Sequence, residues 1–221
     1  MMAFYVRSRS VRDLSRTRAE AEDGATIRNG SNVMQASDTA LIIIDAQESF
    51  RHRDYWDHTD VAAYIDRQQV LFDGARKLGI AIAQIFHVEP DGVFSLASGH
   101  VRTLAPLAIT PDATFHKTRH SALVGSGLPV WLTERGIRRL IVSGIRTEQC
   151  CETTTRHASD SGYEVDFVSE ATLTFAMTDD HGRRWSAQEI KARTELVLAD
   201  RFARIATVEQ ALAGASMRRA A

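Results

Sequence analysis

The sequence predicts an α/β fold in which a parallel sheet is covered on both faces by helices, giving three layers. Short β-branched runs alternate with segments of helical period, and the runs are continuously apolar, as strands buried on both faces are. A third observation is compositional. At 221 residues, 44% hydrophobic and 25% charged with 4 Pro, the chain has a globular profile and is long enough to bury one core without disulfides.

The elements follow in order. Residues 40–44 (Ala-Leu-Ile-Ile-Ile) form an apolar run stopped by Asp45 and read as the first strand. Residues 61–78 place Val61, Tyr64, Ile65, Val70, Leu71 and Ala75 at helical spacing and close at Gly79, a glycine C-cap. A second strand is expected at 80–87 and a shorter one at 113–116. Helix 128–135 ends at Gly136, strand 139–143 follows, helix 148–161 ends at Gly162, and strand 164–168 follows that. Helix 187–199 and strand 202–206 complete six strands, joined by right-handed crossovers, with no internal repeat.

Charge and cysteine content narrow the function. Lys+Arg 27 against Asp+Glu 28 leaves a net charge of -1, so no basic field attracts nucleic acid or an anionic membrane, and the expected partner is a small molecule. No apolar run approaches the roughly 20 residues that span a bilayer. Two adjacent cysteines, Cys150 and Cys151, make no disulfide framework and point to a reducing, cytoplasmic compartment. Residues 1–36 are read as an extension, flexible or in contact with another subunit. They hold Arg7, Arg9, Arg12, Arg16 and Arg18, but Asp13, Glu20, Glu22 and Asp23 argue against a transit peptide. The body is expected to be one domain, 37–221.

In parallel sheets the ligand site lies at the carboxyl ends of the strands, beside the point where strand order reverses. The residues at those ends are Asp45, His87 with Glu89, Lys117, and the segment from Gly144 to Cys150. Each has an ordinary reading alone: Asp45 as a loop cap, Lys117 as a solvated side chain, Cys150 as core packing. Together they set an acid, a base and a thiol at one edge. Thr147 is expected to be a helix N-cap, putting Cys150 in the first turn, where the helix dipole favours a thiolate. Lys117 would lower the thiol pKa further, and Asp45 would accept the proton, so Asp45→Asn is expected to slow alkylation of Cys150. Cys151, turned about 100° around the helix, is expected to pack elsewhere.

The stretch Thr39 to Asp45, the segment Lys117-Thr118-Arg119-His120-Ser121-Ala122-Leu123, and Gly144-Ile145-Arg146-Thr147-Glu148-Gln149-Cys150 with Thr153 to Tyr163 resemble the isochorismatase-like cysteine hydrolases. The resemblance covers roughly residues 37–213, most of the chain. It implies a six-stranded parallel sheet and an Asp45–Lys117–Cys150 triad that hydrolyses a C–N bond through a thioester, with Asp45 returning its proton to the leaving nitrogen and then activating water. It also implies an oxyanion site at the backbone N–H groups of Arg146 and Cys150, a cis peptide between Ile145 and Arg146, and a homo-oligomer. The N-terminal arm and the segment after Ala206 are the candidate contacts for that oligomer.

Departures refine this. The metal-bearing nicotinamidases of this superfamily carry an Asp-x-His and a further His after the second strand, whereas this chain offers His87-Val88-Glu89-Pro90-Asp91, so no metal and no cofactor is expected. A vinyl ether hydrolase of the isochorismatase type would not need Cys150. Phe50, Phe94 and Phe115, placed in loops at the site end, and His87 are candidate pocket residues. Arg146 is a candidate partner for a substrate carboxylate, and one of His116 and His120 is as much a pocket residue as a surface one. A phosphoacceptor signalling domain would want a second Asp where Gln47 stands, a redox-sensing scaffold would use Cys150 alone, and no Gly-x-Gly-x-x-Gly follows the first strand.

Overall fold

The computed structural model describes residues 37–219, the side chains of 217–219 excepted. The expected extension, 1–36, lies outside the described residues. The elements are β1 (Thr39–Ile44), α1 (Val61–Lys77), β2 (Ala81–His87), β3 (Ala113–Lys117), α2 (Leu128–Glu134), β4 (Arg139–Ile145), α3 (Glu152–Asp160), β5 (Glu164–Leu173), β6 (Met177–Thr178), β7 (Arg184–Trp185), α4 (Ala187–Leu198), β8 (Arg204–Ile205) and α5 (Val208–Arg219). Six strands pair in parallel in the order β3-β2-β1-β4-β5-β8, while β6 and β7 form a separate antiparallel pair. The chain moves outward from β1 to β3 and then returns to β4 on the other side of β1, so the order reverses between β1 and β4. Among the described residues no helix is long and apolar enough to cross a membrane.

β1 shows why the sheet is central. Its side chains alternate between faces: Leu41 and Ile43 pack with Tyr64, Leu71 and Phe72 of α1 and Val208 and Ala211 of α5, while Ala40, Ile42 and Ile44 pack with Leu128 and Trp131 of α2 and Ala158 of α3. All five are fully buried, each larger side chain contributing about 1.5–3 kcal/mol by removal from water. Because both faces are apolar, hydrophobic pattern alone does not set the register of β1 against β4. A close approach does. Gly144 pairs with Ile44 at φ +122, and a Cβ there would lie 1.9 Å from the Ile44 carbonyl oxygen.

The structure extends or corrects several expected elements. β5 continues to Leu173, past the polar Ser169 and Glu170, and pairing with β4 shifts between Val142 and Gly144, from Val142 opposite Phe167 to Gly144 opposite Thr172. Lys117 is the last residue of β3 rather than the first beyond it, and Phe115 lies within that strand rather than in a loop. The expected helix 148–161 is two pieces: a π-helical turn, Thr147–Cys151, and then α3. Arg146, not Thr147, holds the N-cap position, and the Thr147 hydroxyl is spent on Thr172 Oγ1 at 2.8 Å. Tertiary pairing with β5 thus takes the hydroxyl that local capping logic assigned to the helix. The C-terminal helix α5 carries little sequence signal, because small residues such as Ala211, Gly214 and Ala215 give a weak apolar period. It packs on α1 of its own chain, with Leu212 set over Gly74, where a Cβ would come within 2.3 Å of Leu212 Cδ1.

Gly144→Ala is expected to cost at least about 3 kcal/mol, since it adds both a backbone clash and a left-handed conformation for a Cβ-bearing residue. Urea unfolding followed by circular dichroism measures this.

Candidate active site

β1 delivers Asp45 at its carboxyl end. The residue adopts φ +48, a left-handed conformation that aspartate tolerates better than most residues, and its N–H donates to Ile85 O at 2.8 Å. Lys117 arrives from the edge strand β3, its carbonyl accepting from Val88 N–H at 2.8 Å. Cys150 comes from the π-helical turn after β4, entered through the cis peptide between Ile145 and Arg146. The three side chains meet: Lys117 Nζ is 2.7 Å from Asp45 Oδ2 and donates to Cys150 Sγ at 3.2 Å. The Asp45 and Lys117 side chains are both wholly shielded from solvent, and Cys150 is buried. The Asp45 carboxylate also lies within hydrogen-bonding reach of the Cys150 thiol.

Burial dominates the electrostatics of this group. It pushes the Asp45 carboxyl above its ordinary range, against the pull of Lys117. Burial also disfavours the Lys117 ammonium, but Asp45 and Cys150 outweigh it and hold the amine more firmly protonated than usual. The Cys150 thiol is pushed well up, first by burial and then by the Asp45 charge, with Lys117 opposing. The expectation of a thiol acidified by its helix turn is therefore corrected: the resting group is a thiol, because desolvation and a neighbouring carboxylate exceed the attraction of one ammonium. Cys151 is fully buried and its thiol is likewise raised well above the ordinary value by burial.

His87 forms the third contact of the ammonium, with Nδ1 3.3 Å from Lys117 Nζ and Nε2 3.5 Å from Glu89 Oε1. Burial and the Lys117 charge depress its pKa, so the ring is neutral at neutral pH. An ammonium only donates, so Nδ1 must accept and the proton sits on Nε2, facing Glu89. Gln47 holds this arrangement in place. Its Oε1 accepts from His87 N–H at 2.8 Å, and its Nε2 donates to His87 O at 3.1 Å and to Ser49 Oγ at 2.9 Å. Gln47 thus clamps the end of β1 to the end of β2, a role its sequence position two residues beyond Asp45 did not disclose.

The remaining candidates separate. Phe50 is buried edge-on against Phe94 at 5.1 Å, and Phe94 packs against the His87 ring at 5.8 Å, so this pair supports His87. Phe115 packs on Trp131 at 6.1 Å as part of the sheet–α2 layer, which leaves its pocket role without support. The Arg146 guanidinium is buried, 3.0 Å from Glu148 Oε1 and 4.9 Å above the Tyr55 ring, with Thr174 Oγ1 donating to the other Glu148 oxygen at 2.5 Å. The guanidinium is paired with Glu148 and stacked on Tyr55, yet its buried Nε and Nη2 have no hydrogen-bond partner, so a role toward a substrate carboxylate stays a proposal. Of the two histidines near β3, His116 is exposed beside Phe86, whereas His120 sets its Nδ1 3.8 Å from Cys150 Sγ. Among the described residues no three His, Cys, Asp or Glu side chains converge as a metal-ligand set.

Comparison with known proteins finds relatives over most of the chain. A family model described as the isochorismatase domain matches residues 39–210. The chain is 27% identical over 174 residues to the isochorismatase family protein YrdC of Bacillus subtilis, covering 77% of this chain and 92% of that one. It is 40% identical over 65 residues to Nicotinamidase 3 of Arabidopsis thaliana, a partial match covering 29% of this chain and 33% of the other. The crystal structure of an isochorismatase family protein from Chromobacterium violaceum superposes with a TM-score of 0.74 at 26% identity, over 82% of this chain and 96% of that one.

The inverted electrostatics reverse one expectation. Removing the Asp45 charge removes a group that opposes ionisation of the thiol and leaves the Lys117 ammonium that favours it, so Asp45→Asn is expected to speed iodoacetamide labelling of Cys150 at neutral pH, not slow it. Cys151 should stay unlabelled in the native protein of either form. Peptide mass spectrometry after timed labelling resolves both sites.

Proposed function

The chain belongs to the isochorismatase family of hydrolases, and from that premise we propose that it is a cysteine-dependent amidase, cleaving a C–N bond of a small amide through a thioester on Cys150. One observation carries the reading: a buried ammonium, Lys117, held at once 2.7 Å from a buried carboxylate and 3.2 Å from the sulfur of Cys150. A vinyl ether hydrolysis has no need for such a thiol. The partial likeness to a nicotinamidase supports amide chemistry.

The roles follow from the groups. The resting thiol cannot attack, so its proton passes to Asp45 as the sulfur approaches the carbonyl carbon. Burial, which biases Asp45 toward its neutral form, lowers the cost of this transfer. Lys117 stays protonated throughout and holds carboxylate and sulfur in register. Charge developing on the carbonyl oxygen requires preorganised donors, and the backbone N–H groups of Arg146 and Cys150, in the turn that carries the nucleophile, are assigned to it. The Arg146 side chain is paired with Glu148. Expulsion of the amine requires a proton, and attack of water on the thioester releases one, so two further transfers complete the cycle.

A panel of small primary and secondary amides, read by release of ammonia or amine, tests the proposal. Turnover is expected to fall at least 1000-fold in Cys150→Ala, with an acyl adduct on Cys150 trapped at early times in the parent protein. Chelators are expected to leave the rate unchanged. Undiminished turnover in Cys150→Ala, or a loss on chelation reversed by added zinc or manganese, would show the reading to be wrong.

A further inference from the structure

His87 and Lys117 stand opposite one another across the β2–β3 pair, in direct parallel register. The strand ends are tied together where Val88 N–H donates to Lys117 O, and Gln47 grips both the N–H and the carbonyl of His87 from the end of β1. The His87 ring packs against Phe94 at 5.8 Å, and its Nε2 lies 3.5 Å from Glu89 Oε1. Backbone and ring are thus both held, and Nδ1 is directed at Lys117 Nζ, 3.3 Å away.

Hydrolysis through a thioester makes unequal demands on the three acceptors of that ammonium. In the resting site Asp45 supplies a negative charge at 2.7 Å. Asp45 takes the thiol proton as the C–S bond forms and passes it to the nitrogen as the C–N bond breaks. It then takes a proton from water as the new C–O bond forms and returns it to the sulfur as the C–S bond breaks. Amide and water have become carboxylic acid and amine, and both groups are restored. Twice in that cycle, while the acyl carbon is tetrahedral, Asp45 is a neutral acid and the sulfur is bonded to carbon. At those two points neither neighbour bears a charge, and the buried Lys117 must rely on neutral acceptors. A sulfur bonded to two carbons is a weak acceptor and a protonated carboxyl a reduced one, whereas the imidazole lone pair is unaltered.

We propose that His87 is a positioning residue of the hydrolysis, its Nδ1 being the constant acceptor that keeps the Lys117 ammonium in place through both tetrahedral intermediates. This rests on the cysteine-hydrolase reading above. His87 exchanges no proton and acts through Lys117 rather than on the substrate. The role needs a neutral ring with its proton on Nε2. Burial and the Lys117 charge favour the neutral ring, and Glu89 faces the far nitrogen.

Two variants and one spectrum test this, with the amide turned over fastest among acetamide, benzamide, nicotinamide and p-nitroacetanilide as substrate. His87→Leu, which offers no acceptor, is expected to lose at least about 10-fold in kcat with KM within about 2-fold of the parent, because the contact matters after the substrate is bound. His87→Asn, whose Oδ1 stands near the place of Nδ1, is expected to bring kcat back to within about 5-fold of the parent. Long-range proton–nitrogen correlation NMR of the parent at neutral pH is expected to show His87 as the Nε2–H tautomer. Equal kcat in parent and His87→Leu would overturn the assignment. So would a larger loss than stated in His87→Asn, whether or not His87→Leu folds, or a His87 ring carrying its proton on Nδ1. A rise in KM with kcat unchanged would overturn it by placing His87 against the substrate. Absence of Cys150-dependent turnover of any of these amides in the parent would overturn the amidase reading and this proposal with it.

Discussion

A buried ammonium organises this molecule. Lys117 carries three N–H bonds and no acceptor, and stripping it of water would cost several kcal/mol unless each found a partner. It finds three: the Asp45 carboxylate, the Cys150 sulfur and the Nδ1 of a neutral His87. These arrive from β1, from the turn after β4 and from β2, while the lysine itself comes from β3. One desolvated cation thereby ties together the carboxyl ends of four strands. The same cation fixes the chemistry, since it holds base and nucleophile within reach of one another without itself giving up a proton.

Such convergence is possible only where strand order reverses. β1 and β4 are neighbours in space but far apart in sequence, and the backbones approach so closely at Ile44 and Gly144 that no side chain fits between them. Asp45 follows one strand and the nucleophile's turn follows the other, so the contact that sets the register also sets the spacing of carboxylate and thiol. The polar support is built from the same ends. Gln47 clamps β1 to β2 through both His87 backbone groups, and the Phe50–Phe94 pair packs against the His87 ring. Arg146, stacked over Tyr55 and paired with Glu148, lies on the other flank.

The electrostatic character of the nucleophile shows the limit of local reasoning. A cysteine at the start of a helical turn beside a lysine reads as a thiolate, because the helix dipole and the ammonium both favour negative charge. In the folded protein the same lysine is already balanced by Asp45, and the sulfur is nearly dry, so burial and the carboxylate prevail. A pKa depends on every charge and on solvent within several ångströms, and those neighbours are distant in sequence.

The amino-acid sequence by itself determined the alternation of buried strands and crossover helices, hence a parallel sheet with its site at the carboxyl ends, and it marked Asp45, Lys117 and Cys150 as the residues at those ends. These features are local: they depend on apolar period, on glycine stops and on what stands next to a strand terminus. The tertiary structure alone decided the rest. It turned Thr147 away from capping, withdrew Arg146 into a pair with Glu148, placed Phe115 in the sheet layer, gave Gln47 its clamp and set His120 against the sulfur. Each of these depends on a partner supplied by another strand or loop, and the short-range pattern of a chain carries no record of which distant group will be within hydrogen-bonding reach.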